Sequence, residues 1–393
     1  MKTVAMAILR YFLEFVYCFI KFFASTKDKI TYISRQSDTP GIDFSMLSDM
    51  IKEKYPQYDQ RMLCRMIPKS KSGMIKYAFH IFTQMWHIAS SKVVILDTYC
   101  IPISLLHHKK SLVVIQMWHA LGAFKKFGLS VAGQAEGTSL DVVKAMRMHK
   151  GYDYVLASGD CCVPPFAEAF GTDESKFLPI GLPRMDYLAE DKYVSASRER
   201  IYQAYPQLVN GKKTILYVPT FRRSGGVNDY DMEYASNEVK NAVDLSRFNL
   251  IIKTHSGSEL VMTDSETSEN RLFMGMDLIA VSDYIISDYS SIVFEAAIPL
   301  KPVYLYCYDR DKYITDRGLY LDYDKDIPAI KARDIADIID SISRDERPSI
   351  ADISAFADKY VSRRYGSVTK LLAEIVDELA RGVYDGRYNY TGE

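Results

Sequence analysis

The 393 residues carry 49 basic and 50 acidic side chains, for a formal net charge of −1, and are 48% hydrophobic and 25% charged. This is ordinary globular composition with length for two domains, and the even balance excludes an overall charge suited to nucleic acid. The six cysteines (Cys18, Cys64, Cys100, Cys161, Cys162 and Cys307) match neither a zinc spacing nor a disulfide framework, which points to a reducing, cytoplasmic compartment.

The most apolar run is residues 4–24, interrupted by Arg10, Glu14 and Lys21. At about 100° per residue, Thr3, Arg10, Glu14 and Lys21 fall in one narrow stripe of a helix. Residues 1–26 are therefore expected to form an amphipathic helix lying in a membrane interface, with the polar stripe outward. A buried core helix is the competing reading. A signal peptide fits less well, because charge breaks the apolar core and no clear small-residue cleavage site follows.

From Lys29 onward, strand-like and helix-like pieces alternate. Strands are expected at Ile30–Ser34, Met62–Ile67, Val93–Asp97, Leu112–Trp118, Tyr154–Ser158 and Phe177–Ile180. Helices are expected between them at Phe44–Lys54, Met74–Ser90 and Leu140–Met148. Around Ala189–Ser197 the pattern loses its strands and turns polar. A second series follows at Thr214–Pro219, Leu250–Thr254, Arg271–Met274, Tyr284–Ser287 and Pro302–Tyr306, with helices at Asp334–Ile342, Ser354–Arg364 and Ser367–Ala380. Such alternation predicts an α/β chain with two Rossmann-like domains, parallel sheets covered by helices, facing a cleft. The expected division is 1–26, 27–190 and 191–393. Charge is segregated along it. Residues 61–135 hold ten bases and the single acid Asp97, while 322–358 hold ten acids and five bases. The N-terminal half is thus expected to meet something anionic.

The chemistry-bearing residues all follow strand candidates, where ligands bind in such folds. Leu112–Trp118 runs into His119, then Gly122, Lys125, Lys126 and Gly128. A histidine so placed can act as a base beside a phosphate. Thr214–Val218 runs into Pro219, Thr220 and Arg222, and Leu250–Ile252 into Lys253, Thr254 and His255. Tyr284–Ile286 turns through Asp288, Ser290 and Ser291 into an apolar helix that Pro299 ends. Hydroxyls and free backbone N–H groups at a helix start suit a phosphate, although a plain N-cap accounts for the same residues.

Taken together, W-H-A-x-G-A-F-K-K-F-G (Trp118–Gly128), G-L-P-R-M-D (Gly181–Asp186), Y-V-P-T-F-R (Tyr217–Arg222), I-K-T-H (Ile252–His255), S-D-Y-S-S-I-V-F-E (Ser287–Glu295) and R-G-L-Y-L-D-Y (Arg317–Tyr323) resemble the CDP-glycerol glycerophosphotransferase family of teichoic acid glycerol- and ribitol-phosphate transferases. The resemblance spans roughly Val93 to Ile375. The chain departs from it at Ala120, where the family often has Gly, and at Ile327-Pro328-Ala329, where it often has Pro-Gly-Pro.

The resemblance implies a glycosyltransferase-B-like fold and transfer of glycerol phosphate from CDP-glycerol, or a related CDP-polyol, to the hydroxyl of an undecaprenyl-diphosphate-linked saccharide, releasing CMP. The expected location is the cytoplasmic face of the cell membrane, peripherally bound. His119 would be the base. His255, Lys253, Arg184, Ser290 and Ser291 would stabilise phosphate charge. The donor would be held by Trp118, Gly122, Pro219, Thr220, Arg222, Asp288, Glu295 and Arg317. No cofactor or metal is expected, although Asp229/Asp231, Asp309/Asp311 and Asp322/Asp324 form Asp-x-Asp triplets. The alternatives are a ribitol-phosphate transferase or capsule polymerase, a UDP-sugar transferase, or a non-catalytic membrane scaffold.

Overall fold

The computed structural model describes residues 2–68, 70–134, 137–220, 232–254, 258–261, 267–270, 273–361 and 366–386. They form two compact units: Met1–Ala120 with Phe127–Asp186 and Gly366–Glu393, and Leu121–Lys126 with Tyr187–Tyr365.

The first unit is built on six parallel strands: β1 (Lys29–Ser34), β2 (Asp59–Cys64), β3 (Val93–Leu96), β4 (Val113–Gln116), β5 (Tyr154–Leu156) and β6 (Phe177–Leu178). Their order is β2-β1-β3-β4-β5-β6. The unbroken Val93-Val94-Ile95-Leu96 run is buried at every position, as a central parallel strand covered on both faces requires. β2 starts and ends three residues before its expected place. Pairing with β1, Lys29 opposite Asp59 through Ser34 opposite Cys64, fixes that register and leaves Met66 and Ile67 exposed beyond the strand. The helix expected over 140–148 stops at Ala145, and Arg147 and His149 take left-handed backbone angles that a helix does not allow.

The second unit holds β7 (Lys213–Val218), β8 (Phe248–Lys253), β9 (Ser258–Val261), β10 (Thr267–Asn270), β11 (Tyr284–Ser287), β12 (Val303–Tyr306) and β13 (Ala329–Ala332), in the order β10-β9-β8-β7-β11-β12-β13. β9 pairs antiparallel with both its neighbours. No strand forms at the described end of the expected 271–274 run, where the Met274 backbone N–H instead bonds Asp277 at the start of the Gly275–Ile279 helix. The strandless stretch near residue 190 is helical, as Arg184–Ala189 and Asp191–Ala204.

The C-terminal segment corrects the expected division. The Val368–Arg381 helix belongs to the first unit, not with 191–393. Leu372, Ile375, Val376 and Leu379 are buried, and the helix packs on α2 (Ile42–Lys54) and β3. The Asp186 carboxylate caps its start, accepting from the backbone N–H of Gly366, Val368 and Thr369 and from the Thr369 hydroxyl.

The N-terminal run forms α1 (Lys2–Phe23), which packs against α3 (Lys71–Ser90) within the first unit. Two residues of its polar stripe, Glu14 and Lys21, face the protein, opposite to the outward stripe expected. Glu14 accepts from the His107 backbone N–H and lies 3.2 Å from the His107 ring, while Lys21 donates to the His107 carbonyl. Buried Tyr17 bonds the His108 ring at 2.8 Å. The outer face is apolar: Ile8, Leu9, Tyr11, Phe12, Phe15, Phe19, Phe22 and Phe23 are all exposed. Among the described residues, no helix is long and apolar enough to cross a membrane.

Candidate active site

In each sheet the strand order reverses at one place, between β1 and β3 in the first unit and between β7 and β11 in the second. Carboxyl ends flanking such a switch point are where open α/β sheets bind ligands. The candidate residues gather at both.

In the first unit, β4 ends at Gln116, and Trp118 follows with φ of +63°, a left-handed angle costly for so bulky a residue. Buried Gln116 holds it there, accepting the Trp118 N–H at 2.9 Å and donating to the Thr98 carbonyl at 3.1 Å. The Trp118 ring stacks on Phe127 and meets Phe170 edge-on, with its centroid 4.0 Å from that of His119. The forced turn brings His119 back over the end of β3.

His119 Nδ1 lies 2.7 Å from the Asp97 backbone carbonyl. A carbonyl only accepts, so Nδ1 carries the proton and Nε2 keeps a lone pair. Burial, helped by the Arg184 charge, lowers the ring's pKa to about 4, against the opposing pull of the Asp97 carbonyl and Asp43. The imidazole is neutral and basic at Nε2 at any pH well above that value. Asp97 itself is pushed up to about 6 by burial, with Asp43 adding to the shift and hydrogen bonds from Ser34 and Thr98 opposing it. Its Oδ1 is buried without a hydrogen-bond partner among the described residues.

Arg184 stands behind His119. Its Nε and Nη2 donate to Asp43 Oδ2 at 2.9 and 2.5 Å, and its backbone N–H donates to Asp43 Oδ1 at 2.8 Å. Nη1 donates to the His119 carbonyl at 2.9 Å. Arg184, expected on the donor phosphate, is buried with these bonds and braces the His119 backbone. Sequence reading missed Gln36, Asp43, Asp97 and Gln116 as site residues. Gln36 and Asp97 follow β1 and β3 and so obey the same strand-end rule that singled out His119.

In the second unit, the ends of β8, β7 and β11 lie side by side. Buried Asp288 accepts the Thr220 N–H through both oxygens, at 2.9 and 3.0 Å, and the Tyr289 N–H at 2.6 Å. The carboxylate ties the Pro219-Thr220 turn to the turn after β11. The Ser287 hydroxyl donates to the Val218 carbonyl at 2.7 Å and reinforces the tie. Ser290 accepts the Ile292 N–H at 3.3 Å, while the Ser291 side chain makes no cap bond. Ser290 and Ser291 are partly exposed, whereas Glu295, one turn into the Ile292–Ala297 helix, is buried. Lys253 ends β8, and burial lowers its ammonium pKa against the pull of Asp277.

Leu121–Lys126 runs against this group. A Cβ on Gly122 would stand 2.5 Å from the Phe294 ring, so glycine is what allows the close approach. Arg317 Nε donates to the Lys126 carbonyl at 3.1 Å, and the Lys126 N–H to the Gly318 carbonyl at 3.1 Å. His255 and Arg222, two expected site residues, lie outside the described residues, as do Asp229 and Asp231. The other Asp-x-Asp carboxylates contact side chains: Asp309 the Tyr289 hydroxyl, Asp311 Arg333, Asp322 Lys325 and Asp324 Arg310. No group of three metal-ligating side chains occurs among the described residues.

A family model described as CDP-Glycerol:Poly(glycerophosphate) glycerophosphotransferase matches residues 16–378. The chain is 31% identical to a teichoic acid ribitol-phosphate primase of Bacillus spizizenii over 357 residues, 89% of this chain and 90% of that protein. It is 26% identical to a teichoic acid glycerol-phosphate primase of Bacillus subtilis, covering 86% of this chain and 84% of that one. A structure of the wall teichoic acid polymerase TagF superposes with a TM-score of 0.70 at 19% identity, over 91% of this chain and 90% of that one, and so shares the fold.

Proposed function

The chain belongs to the CDP-glycerol:poly(glycerophosphate) glycerophosphotransferase family, and on that premise we propose that it transfers a polyol phosphate from a CDP-linked donor to the hydroxyl of a lipid-linked acceptor in teichoic acid synthesis. The acceptor oxygen attacks the phosphorus that bears the polyol. The bond from that phosphorus to the CMP oxygen breaks, CMP leaves, and the hydroxyl proton passes to His119 Nε2. The carrying observation is the 2.7 Å contact of His119 Nδ1 with the Asp97 carbonyl, which fixes the tautomer that leaves Nε2 free to accept. An anionic donor alongside raises the ring's pKa toward neutral, where proton transfer is most effective.

The donor reading places the nucleotide at the β7–β11 switch point. Lys253, Ser290, Ser291 and the backbone N–H groups of that turn face the charge that develops on the leaving phosphate. His255 is the second cationic candidate there. Asp288 and Arg317 act one step back, on the turn and on the 121–126 segment.

Glycerol is the donor polyol expected from the motifs. The higher identity to a ribitol-phosphate primase, over nearly all of its length, favours ribitol as a second reading. Incubation with CDP-glycerol, CDP-ribitol and a UDP-sugar, with detection of released CMP or UDP, decides between them. UDP release alone overturns the phosphotransfer reading. His119→Ala is expected to lower turnover about 10²–10⁴-fold in a folded protein.

The acceptor's lipid calls for a membrane-facing surface. The apolar outer face of α1 supplies it, and Ile75, Phe79 and Trp86 of α3, which packs against α1, are exposed as well. Lys71 and Lys76 at the start of α3 are exposed and suit anionic headgroups. On this reading the protein binds peripherally at the cytoplasmic face of the membrane.

A further inference from the structure

Gln36 is the first exposed residue after β1, beside the switch point of the first unit. Its carboxamide nitrogen lies 3.1 Å from both ring nitrogens of His119. Equal distances to both place it midway between the two nitrogens, off the direction in which either lone pair points. The loop that carries Gln36 is fixed at several points. The Gln36 N–H donates to Ser34 Oγ at 3.1 Å, Ser37 and Thr39 share a hydroxyl bond of 3.0 Å, and Asp38 Oδ1 accepts the Met66 N–H at 2.8 Å. Gln36 is thus an exposed side chain on an anchored backbone, and its only described side-chain contact is the proposed base.

We propose that Gln36 is the acceptor-side positioning residue: its carboxamide receives the hydroxyl next to the attacking one, so that a vicinal diol is read by His119 Nε2 and Gln36 together. A carboxamide offers a donor and an acceptor on one planar group, which matches a hydroxyl that must do both. A polyol chain presents neighbouring hydroxyls at the spacing of one carbon–carbon bond. The attacking oxygen gives its proton to Nε2, and its neighbour is held by the amide. The same amide N–H dipole disfavours a proton on the imidazole. The other groups acting on the ring are Arg184, with the same effect, and Asp43 and the Asp97 backbone carbonyl, with the opposite one. This rests on the polyol-phosphate transfer proposed above.

The test compares the full-length wild type with Gln36→Ala and Gln36→Glu, using a water-soluble polyol-phosphate acceptor and its analogue lacking the neighbouring hydroxyl. Gln36→Ala should raise the KM for the intact acceptor about five- to tenfold, the worth of one hydrogen bond, and move the KM for the CDP-polyol far less. The deoxy acceptor should be poorer than the intact one for wild type and equal to it for Gln36→Ala. Histidine titration by NMR should show His119 moved to higher pH in Gln36→Ala, and further still in Gln36→Glu. An active wild type whose Gln36→Ala variant keeps both the acceptor KM and the His119 titration overturns this proposal alone. A wild type that transfers no polyol phosphate overturns the reading of the site as well.

Discussion

Asp43 and Arg184, 141 residues apart in the chain, meet through three bonds that use both carboxylate oxygens, and the same guanidinium holds the carbonyl of His119. Both partners are buried. Removing one leaves an uncompensated charge, which typically costs roughly 3–5 kcal/mol. Asp43→Ala is therefore expected to lose that order of stability in denaturant titration and to lower turnover with it. Asp43→Asn keeps the shape and should lose less of both. An Asp43→Ala protein of normal stability and activity would show that Arg184 finds another anchor.

Gly122 gives a prediction that separates packing from ligand binding. Gly122→Ala drives a methyl into Phe294, and overpacking of this kind usually costs roughly 1–3 kcal/mol. In the double variant with Phe294→Leu, the smaller side chain makes room, so the two changes should cost less together than the sum of each alone. If the penalties simply add, Gly122 is required for something other than its contact with Phe294.

Two histidines set an acid limit. Burial lowers the His149 pKa to about 4, with Arg35 and Lys150 adding to the shift, and His119 shifts likewise. An unfolded histidine titrates near 6.5, so between about 6.5 and 4 the unfolded chain binds a proton that the folded chain refuses. Stability is complete above pH 6.5 and falls as pH drops through that window, by on the order of 3 kcal/mol for His149 alone. Urea midpoints across pH 4 to 7 should fall on the acid side, and more shallowly in His149→Gln. Equal slopes in the two proteins would exclude His149 as the source.

The outer face of α1 can be changed without touching its clasp on the protein. Phe15, Phe19 and Phe22 point outward, while Glu14, Tyr17 and Lys21 hold His107 and His108. Replacing the three phenylalanines by serine should leave thermal stability nearly unchanged and reduce vesicle binding at least tenfold, since each buried aromatic contributes roughly 1.5–3 kcal/mol. The wild type should prefer anionic vesicles and lose part of that preference in salt. Vesicle sedimentation of the two proteins is the measurement. Undiminished binding by the triple variant would place the membrane contact elsewhere.

The strand-end rule made His119, Lys253, Thr220 and Ser290 legible because alternation and turn residues are local signals. What pairs them is not local. The Asp97 carbonyl that orients His119 is a backbone atom, and any residue type supplies one. Asp43 sits in the first turn of an ordinary helix and becomes meaningful only when β6 and the turn after it deliver Arg184. The stripe on α1 was visible, but its direction was not. A helix with polar residues on one side reads the same whether that side meets water or the protein, and only the contacts of Glu14 and Lys21 with His107 decide it. The end of the chain misled for a similar reason. The Val368–Arg381 helix follows the second strand series in sequence, and nothing near it announces that its cap is Asp186.

That cap has a consequence for synthesis. The first unit begins to leave the ribosome first, yet it lacks its Gly366–Glu393 segment until the whole of the second has been translated. Until then α2 and β3 present the apolar surface that Leu372, Ile375 and Val376 will cover. A chain released after residue 365 should therefore hold a complete second unit and an incomplete first one, and it is the earlier-made half that needs a chaperone.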